Sequence, residues 1–459
     1  MGIGNITFLI GWYIFLFIIG ILLEKLTCCF SRLSIFTVFF YAFFIKHGIM
    51  IPFTIDINYE QIGLDLPEAV LLRWTASLML MYISFIIGII ISRPFFGKRK
   101  LSRKAYKEAI ANLSTRKASD LRSIFPLFAF SISTLTFVVL WRTDFLTYLF
   151  SGNFSGEAYK AARLAYGESV SSFNGILLRV ANTLKFTALP LCTYILFFMR
   201  KKSKRYTFLF IYLLSITLLL NLISGQKGGI VLILLGTFFC WLLASGNITI
   251  SLASKIGKRS ALAVMFLVFF LLPFQYWIQY PSINYQVALM AVVNRLSGEV
   301  TRTLQLHFHV YPDIFPHLYG ASSSFMNIFT GSDFIHDPGR VIRGYIAFGD
   351  IYDATGSWNA AFIGTAWADF SYFGVVLQSL LVVFLLSYYH QWFVKSQKTP
   401  MVLGTYVSLS MSTFFLSEGN LLTTLFSFGL GLNFLIYLIM RKSRLVRSKK
   451  TQPTLASQR

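Results

Sequence analysis

Arg295, Glu299, Arg302 and His309 lie close together in the chain. The two arginines and the histidine are spaced by seven, close to two helical turns each. A helix over 287–309 therefore puts all three on one stripe. Glu299 joins the stripe, and Leu289, Val292, Val293, Leu296 and Val300 fill the other side. Guanidinium groups hold oxyanions through paired hydrogen bonds, and a carboxylate or imidazole accepts a proton. The stripe has the parts of an anion clamp with a base inside it. It equally describes a surface helix whose ion pairs are worth about 0.3 kcal/mol each.

A second group follows. Arg340 and Arg343 come after His336-Asp337-Pro338-Gly339, and Asp350, Asp353, Trp358 and Asn359 come after them. The Pro–Gly pair predicts a turn. Trp358 offers a flat face that suits sugar C–H surfaces. The same arginines are also placed to pair with Asp350 and Asp353 and merely hold the loop. Lys227 sits in Ser224-Gly-Gln-Lys-Gly-Gly229, just before an apolar run. Free N–H groups and the positive end of a helix dipole favour an anion there. Alternatively, the segment is a tight turn whose lysine reaches the interface. Arg163 lies in 141–180, and Lys185 lies inside the next apolar run. An ionisable group in such a run is a functional candidate, although Lys185 and Asp369 are both near enough to a run's end to reach water. His47, beside Lys46, is expected at the interface.

These residues need a scaffold, and the composition says which kind. The chain has 459 residues, 56% of them hydrophobic and 13% charged, whereas soluble domains carry about 25% charged residues. An all-α polytopic membrane protein is expected, forming one integral domain over 1–459. A spanning helix needs roughly 20 apolar residues. Eleven runs qualify, at 6–24, 33–51, 70–91, 124–140, 181–199, 206–223, 229–244, 261–277, 371–390, 400–417 and 421–440. They leave two larger loops on one side, 141–180 and 278–358. The first run is too long for a cleavable signal, and no small-residue cleavage site follows it. Cys28, Cys29, Cys192 and Cys240 lack metal-ligand spacing, so neither a disulfide nor a metal is expected.

Lysine and arginine set the orientation. With the amino terminus outside and the carboxyl terminus inside, the inner segments hold 29 of the 41 basic residues and only Glu24, Glu108 and Asp120 of the 18 acids. The net charge of +23 thus belongs to the inner side. There 93–122 and 441–450 are placed to touch anionic headgroups. No nucleic-acid-binding fold accompanies these charges. No phosphate-binding P-loop, HExxH, paired CxxC or nucleophile elbow is present, which argues against an ATP-driven pump or a metallohydrolase.

The turn Ser224–Gly229, the stretch Trp358-Asn-Ala-Ala-Phe-Ile-Gly364 and the following Ala368-Asp369-Phe370-Ser-Tyr-Phe-Gly374, together with the layout of spans and loops, resemble the Wzy-type O-antigen polymerases. The likeness covers most of the chain in layout and about 221–374 in residues. It implies a GT-C-like bacterial inner-membrane glycosyltransferase, without metal or other cofactor, whose active side is periplasmic. Its substrates would be undecaprenyl-diphosphate-linked oligosaccharides, with a chain-length regulator as a further partner. Some members carry an arginine and a glycine ten residues apart in each large loop. Here Arg163 is followed by Gly175 and Arg343 by Gly356, at slightly longer spacings. The resemblance gives Lys227, Arg295, Arg302, Arg340, Arg343, Arg163 and Trp358 to diphosphate or glycan binding, and leaves Glu299, Asp350 and His309 as candidate bases.

Two other readings use the same features. An O-antigen ligase takes the same donor, but ligases tend to place a histidine shortly before an asparagine in the large loop, and Ser357-Trp358-Asn359 has none. A lipid-linked-sugar flippase keeps its ionisable residues within spans around a cavity, whereas here most lie in loops.

Overall fold

The computed structural model describes residues 3–49, 67–96, 183–223, 227–245, 284–294, 300–322, 337–349, 357–358 and 360–450, together with 133, 269–270 and 273. Among the described residues every regular element is helical. The expected runs at 124–140 and 261–277 and the loop at 141–180 lie almost wholly outside the described residues. Stretches at Thr7–Thr27, Glu68–Phe95 and Phe362–Lys395 are long and apolar enough to cross a membrane, and Ile35–Ile49, Gly228–Ala244 and Leu432–Arg441 form shorter apolar helices. Nearly unbroken apolar sequence makes such helices buried or lipid-facing rather than amphipathic, and the chain reads as membrane-embedded.

Helix α1 (Ile3–Thr27) precedes α2 (Ile35–Phe44), which continues into a π-helical turn, Ile45–Ile49. Ser34 caps α2, and Thr37 reaches back to the Ser34 N–H at 2.9 Å, completing a reciprocal cap. Helix α3 (Glu68–Phe96) packs along α10 (Phe362–Lys395). Gly88 on α3 lies against Val383, and Ser92 bonds Ser387 at 3.0 Å. Between them sit rings from α2: Phe39 meets Phe85 edge-on at 5.2 Å, and Phe43 meets Phe362 at 5.6 Å. Such edge contacts add about 0.5–1.5 kcal/mol each beyond area burial.

The second half of the bundle is α4 (Ala188–Met199), α5 (Lys204–Ile223), α6 (Lys227–Ala244) and α11 (Pro400–Ser412). Helices α4 and α11 touch backbone to backbone at Gly404. A Cβ there would lie 2.5 Å from Ile195 Cγ1 and 2.7 Å from its backbone nitrogen.

One expected helix comes out differently. The run at 421–440 is two helices, α12 (Leu421–Phe426) and α13 (Leu432–Lys450), separated by a turn in which Gly429 has φ +89°. The break has a polar cause: Asn433 on α13 donates to Ser408 Oγ at 2.7 Å, and a Cβ on Gly429 would lie 2.4 Å from the same amide nitrogen. The helix expected over 287–309 is seen as α7 (Tyr285–Asn294) and α8 (Val300–Val310), and 295–299 lie outside the described residues.

Polar contacts sort the helix ends into two groups. At one end the Ile35 N–H donates to Tyr406 Oη at 2.9 Å, His390 Nδ1 meets the same oxygen at 3.0 Å, and Phe393 stacks on Tyr406. At the other, Lys46 of the π turn pairs with Glu418 and bonds Ser417 Oγ at 3.2 Å. The adjacent His47 Nε2 meets the Ser417 carbonyl at 3.1 Å. Lys46 and His47, expected at the interface, are thus enclosed by protein. A Gly404→Ala variant should lose about 1–3 kcal/mol through overpacking; a thermal scan of the purified protein showing an unchanged midpoint would contradict the contact between α4 and α11.

Candidate active site where α8 meets α9

Helix α8 is buried on most sides by α3, α10 and the helix α9 at Pro338–Phe348. It is anchored at its start by Thr301, whose hydroxyl donates to the Lys46 carbonyl at 2.9 Å. Deeper in, His307 is fully enclosed. Its Nδ1 lies 2.7 Å from the Thr303 carbonyl, and its ring packs on Gly364, where a Cβ would stand 3.1 Å away. Burial lowers the His307 pKa from its ordinary value and keeps the ring neutral. His307 is a packing residue between α8 and α10.

Arg302 and His309 lie two turns apart on α8, and both are half-buried. His309 Nδ1 is buried and has no hydrogen-bond partner among the described residues. Burial, with Arg73 nearby, lowers the His309 pKa below 6.5, and the charge of Asp313 opposes the shift. Arg73 of α3 pairs with Asp313 at 2.7 Å, which fixes the chain just beyond α8. The two residues are 240 apart in the chain, so no local pattern announces the pair. Arg295 and Glu299, the other members of the expected stripe, lie outside the described residues.

Helix α9 (Pro338–Phe348) packs against α8 and carries Arg340 and Arg343 one turn apart. The turn expected at Pro338-Gly339 is instead the first step of this helix. Proline at the first helical position costs no hydrogen bond, and the helix stops at Gly349, φ +71°. Glycine is needed at 339 because the Trp358 segment crosses there: the Trp358 N–H donates to the Gly339 carbonyl at 3.0 Å, and a Cβ would lie 2.4 Å from Ser357 Oγ. Asp337 ties the arrangement together. Its carboxylate accepts from Ser357 Oγ at 2.8 Å and from Asn420 Nδ2 at 3.3 Å.

Arg340 is exposed, and Arg343 is half-buried with its guanidinium carbon 5.8 Å from the Phe348 ring centre. Among the described residues neither has a carboxylate within ion-pair distance. The candidate partners Asp350 and Asp353 lie outside the described residues, as does Arg163. The structure therefore places Arg302 and His309 on α8, Arg340 and Arg343 on the adjoining α9, and Trp358 in the segment that crosses α9.

Behind the site, α10 is bent. Ser371 adopts φ +54°, ψ −144°, a conformation that costs a non-glycine residue about 1–3 kcal/mol. The bend is held by residues 318–322. The Leu318 and Tyr319 N–H groups donate to the carbonyls of Ala368 and Asp369 at 2.9 Å, and Ser322 Oγ donates to Asp369 Oδ2 at 2.6 Å. Trp367 Nε1 donates to the Tyr311 carbonyl at 2.6 Å. Gly374 is required at the bend, since a Cβ would fall 2.1 Å from the Ala366 carbonyl oxygen. Asp369 thus acts as a structural tie, and the stretch 368–374 is a bend that supports the end of α8.

The glycine turn before α6 is only partly open. Lys227 begins α6. Gly228 has free space around it, but a Cβ on Gly229 would collide with Asn221 Oδ1 at 1.9 Å. Gly229 therefore serves helix packing rather than ligand approach. Beside it a cavity of about 20 Å³ is lined by Lys185, Asn221 and Gly229, and Lys185 is 1% exposed with Nζ 4.7 Å from the Phe186 ring centre. Such a cavity holds about one water.

The Gly339 crossing is open to a direct check. Gly339→Ala is expected to lower the melting temperature well beyond Gly228→Ala, where a Cβ meets nothing within 4 Å; equal effects would refute the close approach of Trp358 to α9.

No protein-family model, curated protein or solved structure matches this chain.

Proposed function

We propose that this chain is a bacterial polysaccharide polymerase of the Wzy type, a multi-pass inner-membrane glycosyltransferase with about eleven spans and its active side in the periplasm. The observation that carries the proposal is the pairing of α8 and α9. Together they carry Arg302, Arg340, Arg343 and a neutral imidazole, His309, and the segment bearing Trp358 crosses α9. The resemblance in residues at 358–374 supports the same conclusion, because that stretch buttresses the site.

The acceptor would be a lipid-linked repeat unit, and the donor a growing glycan on undecaprenyl diphosphate. The acceptor hydroxyl oxygen attacks the anomeric carbon of the donor's reducing-end sugar. The bond from that carbon to the diphosphate oxygen breaks, and diphosphate keeps the electron pair. It leaves as an anion and needs cations rather than a proton. Arg302, Arg340 and Arg343 supply them, joined by Arg295, Lys227 and Arg163 in the full loop set. The hydroxyl proton passes to a base. His309 is the described candidate, since its lowered pKa leaves it unprotonated at neutral pH; Glu299 and Asp350 are the others. Trp358 offers its face to a sugar ring. A chain-length regulator fits as a partner, and the arginines and lysines make a metal unnecessary to the charge balance.

The test is the surface polysaccharide of cells carrying substitutions. Arg302→Ala and Arg343→Ala should each cut polymerisation about 10²–10³-fold, the usual cost of one lost charge-stabilising donor, leaving a single repeat on the lipid core in place of a ladder. Intact ladders from both would reject the assignment. Polymer accumulating on undecaprenyl diphosphate would mark a ligase, and unflipped lipid-linked repeats would mark a flippase.

His309 adds a dependence on pH. Its folded pKa lies below 6.5, so the imidazole is free above that value and becomes protonated only as pH falls below it. With His309 as base, in-vitro activity holds at neutral pH and falls on an acid limb beneath 6.5, and His309→Gln removes that limb together with most of the rate. A limb that persists in His309→Gln would transfer the role to Glu299 or Asp350.

A further inference from the structure

The end of the bundle opposite α8 and α9 holds a cavity of about 540 Å³ where α10, α11 and α13 converge. Tyr388 and Trp392 of α10 and Tyr437 of α13 form aromatic walls, and Lys395 and Arg441 lie at its rim. Trp392 meets Tyr437 edge-on at 4.8 Å, which holds the wall in shape. The chain between α10 and α11 is firmly stitched. Lys398 Nζ donates to the carbonyls of Phe393, Val394 and Ser396, and Thr399 caps α11. Lys398 is thus committed to closing the carboxyl end of α10. Lys395 and Arg441 are exposed and have no ion pair among the described residues.

No acid lines this cavity. The sequence contains no aspartate or glutamate at all between Asp369 and Glu418, nor after Glu418. Glu24, at the carboxyl end of α1, is occupied by the Phe30 N–H and Ser31 Oγ. Two cations at the mouth of an aromatic cavity therefore have no counter-charge among the residues that line it. Gln391 and Trp392, which line the cavity, each carry a buried polar atom with no hydrogen-bond partner among the described residues: Gln391 Oε1 and Trp392 Nε1. On the stripe of α10 that carries Tyr388 and Lys395, the helix surface turns apolar towards the amino terminus: Leu381 and Phe384 are 52% and 40% exposed.

We infer that this cavity binds an anionic phospholipid. The phosphate sits between Lys395 and Arg441, and the acyl chains run along the apolar face of α10. A ring such as Trp392 or Tyr437, apolar on one side and polar at its tip, suits the headgroup level of a bilayer. Unpaired cations at that level attract anionic headgroups at about 1 kcal/mol each. A soluble phosphate would use the two cations but leave the apolar face without a role. The inference is independent of the polymerase proposal, because the cavity is at the other end of the bundle and the readout is binding.

The experiment uses the full-length protein purified in detergent and offered equal amounts of phosphatidylglycerol and phosphatidylcholine, with bound lipid counted by native mass spectrometry. Phosphatidylglycerol should be retained preferentially. Lys395→Ala combined with Arg441→Ala should weaken that retention roughly thirtyfold, the loss of two such attractions. Lys204→Ala combined with Arg205→Ala, which removes two exposed cations at the start of α5, should leave it unchanged. Should the first alanine pair fail to fold, the Lys395→Gln and Arg441→Gln pair preserves the polar stems and gives the same reading. Equal retention of both lipids overturns the inference, as does equal loss in the two double variants, which would indicate only diffuse surface charge. Displacement of the lipid by inorganic phosphate alone would make this a soluble-anion site and overturn it as well.

Discussion

Scarce carboxylates decide how these helices meet. In an apolar chain the backbone hydrogen bonds close within each helix and carry no information about its neighbours. Leucine and phenylalanine surfaces pack in many registers at similar energy. Buried polar ties do not. The chain has 18 acids, and five of those described each join segments that helix formation alone would leave independent. Glu24 closes the turn after α1, and Glu418 binds Lys46 across the bundle. Asp313 holds Arg73, and Asp369 holds Ser322. Asp337 links α9 to the Trp358 segment and to Asn420. Removing one partner of a buried charge pair costs about 3–5 kcal/mol, so a register that separated Lys46 from Glu418 would be strongly disfavoured.

Among the described residues the same ties leave the candidate site cationic. Four of the five, all but Glu24, lie at the end where α8 and α9 meet, and each acid is already engaged by a structural partner. Lys46 and Arg73 spend their charge on the scaffold. Arg340 and Arg343 do not spend theirs on any described acid. A leaving diphosphate requires fixed positive charge that need not reorganise during the reaction. Two arginines one turn apart on a short helix, itself clamped at its first residues by Asp337 and Gly339, meet that requirement through rigidity as well as charge.

Much of the scaffold was legible in the sequence because apolar length is a strong signal. The runs at 6–24, 70–91 and 371–390 each lie within a described helix. Three features were hidden for identifiable reasons. The break between α12 and α13 depends on Asn433 reaching Ser408, a contact with no local trace. Pro338-Gly339 reads as a turn by composition, yet it starts a helix, because the glycine answers to Ser357 and Trp358, far along the chain, rather than to its own backbone. Asp369 looked ambiguous from its place at the end of an apolar run, and its role became clear only through Ser322. In the site, spacing placed Arg302 and His309 together on one helix and Arg340 and Arg343 on another. It could not show that the two helices pack, nor that His307, chemically identical to His309 and two residues away, is consumed by contact with Gly364.

The two ends of the bundle differ in a way that bears on what each can do. At one end acids and cations interlock, and two packed helices, α8 and α9, carry arginines and a neutral histidine. Such an arrangement is pre-organised, and it suits chemistry on a single bound anion. At the other end, where α10, α11 and α13 converge, the cavity is lined by cations and by no acid. Charges of one sign that are exposed and unpaired repel one another and gain stability only from an outside partner of opposite sign. A surface of many anionic groups supplies that partner continuously, and a cavity between Lys395 and Arg441 selects one member of it. One chain thus uses the same residue types in two ways. Where carboxylates fix the backbone, the remaining cations can act on a reacting group, and where carboxylates are missing, the cations attach the protein to its surroundings.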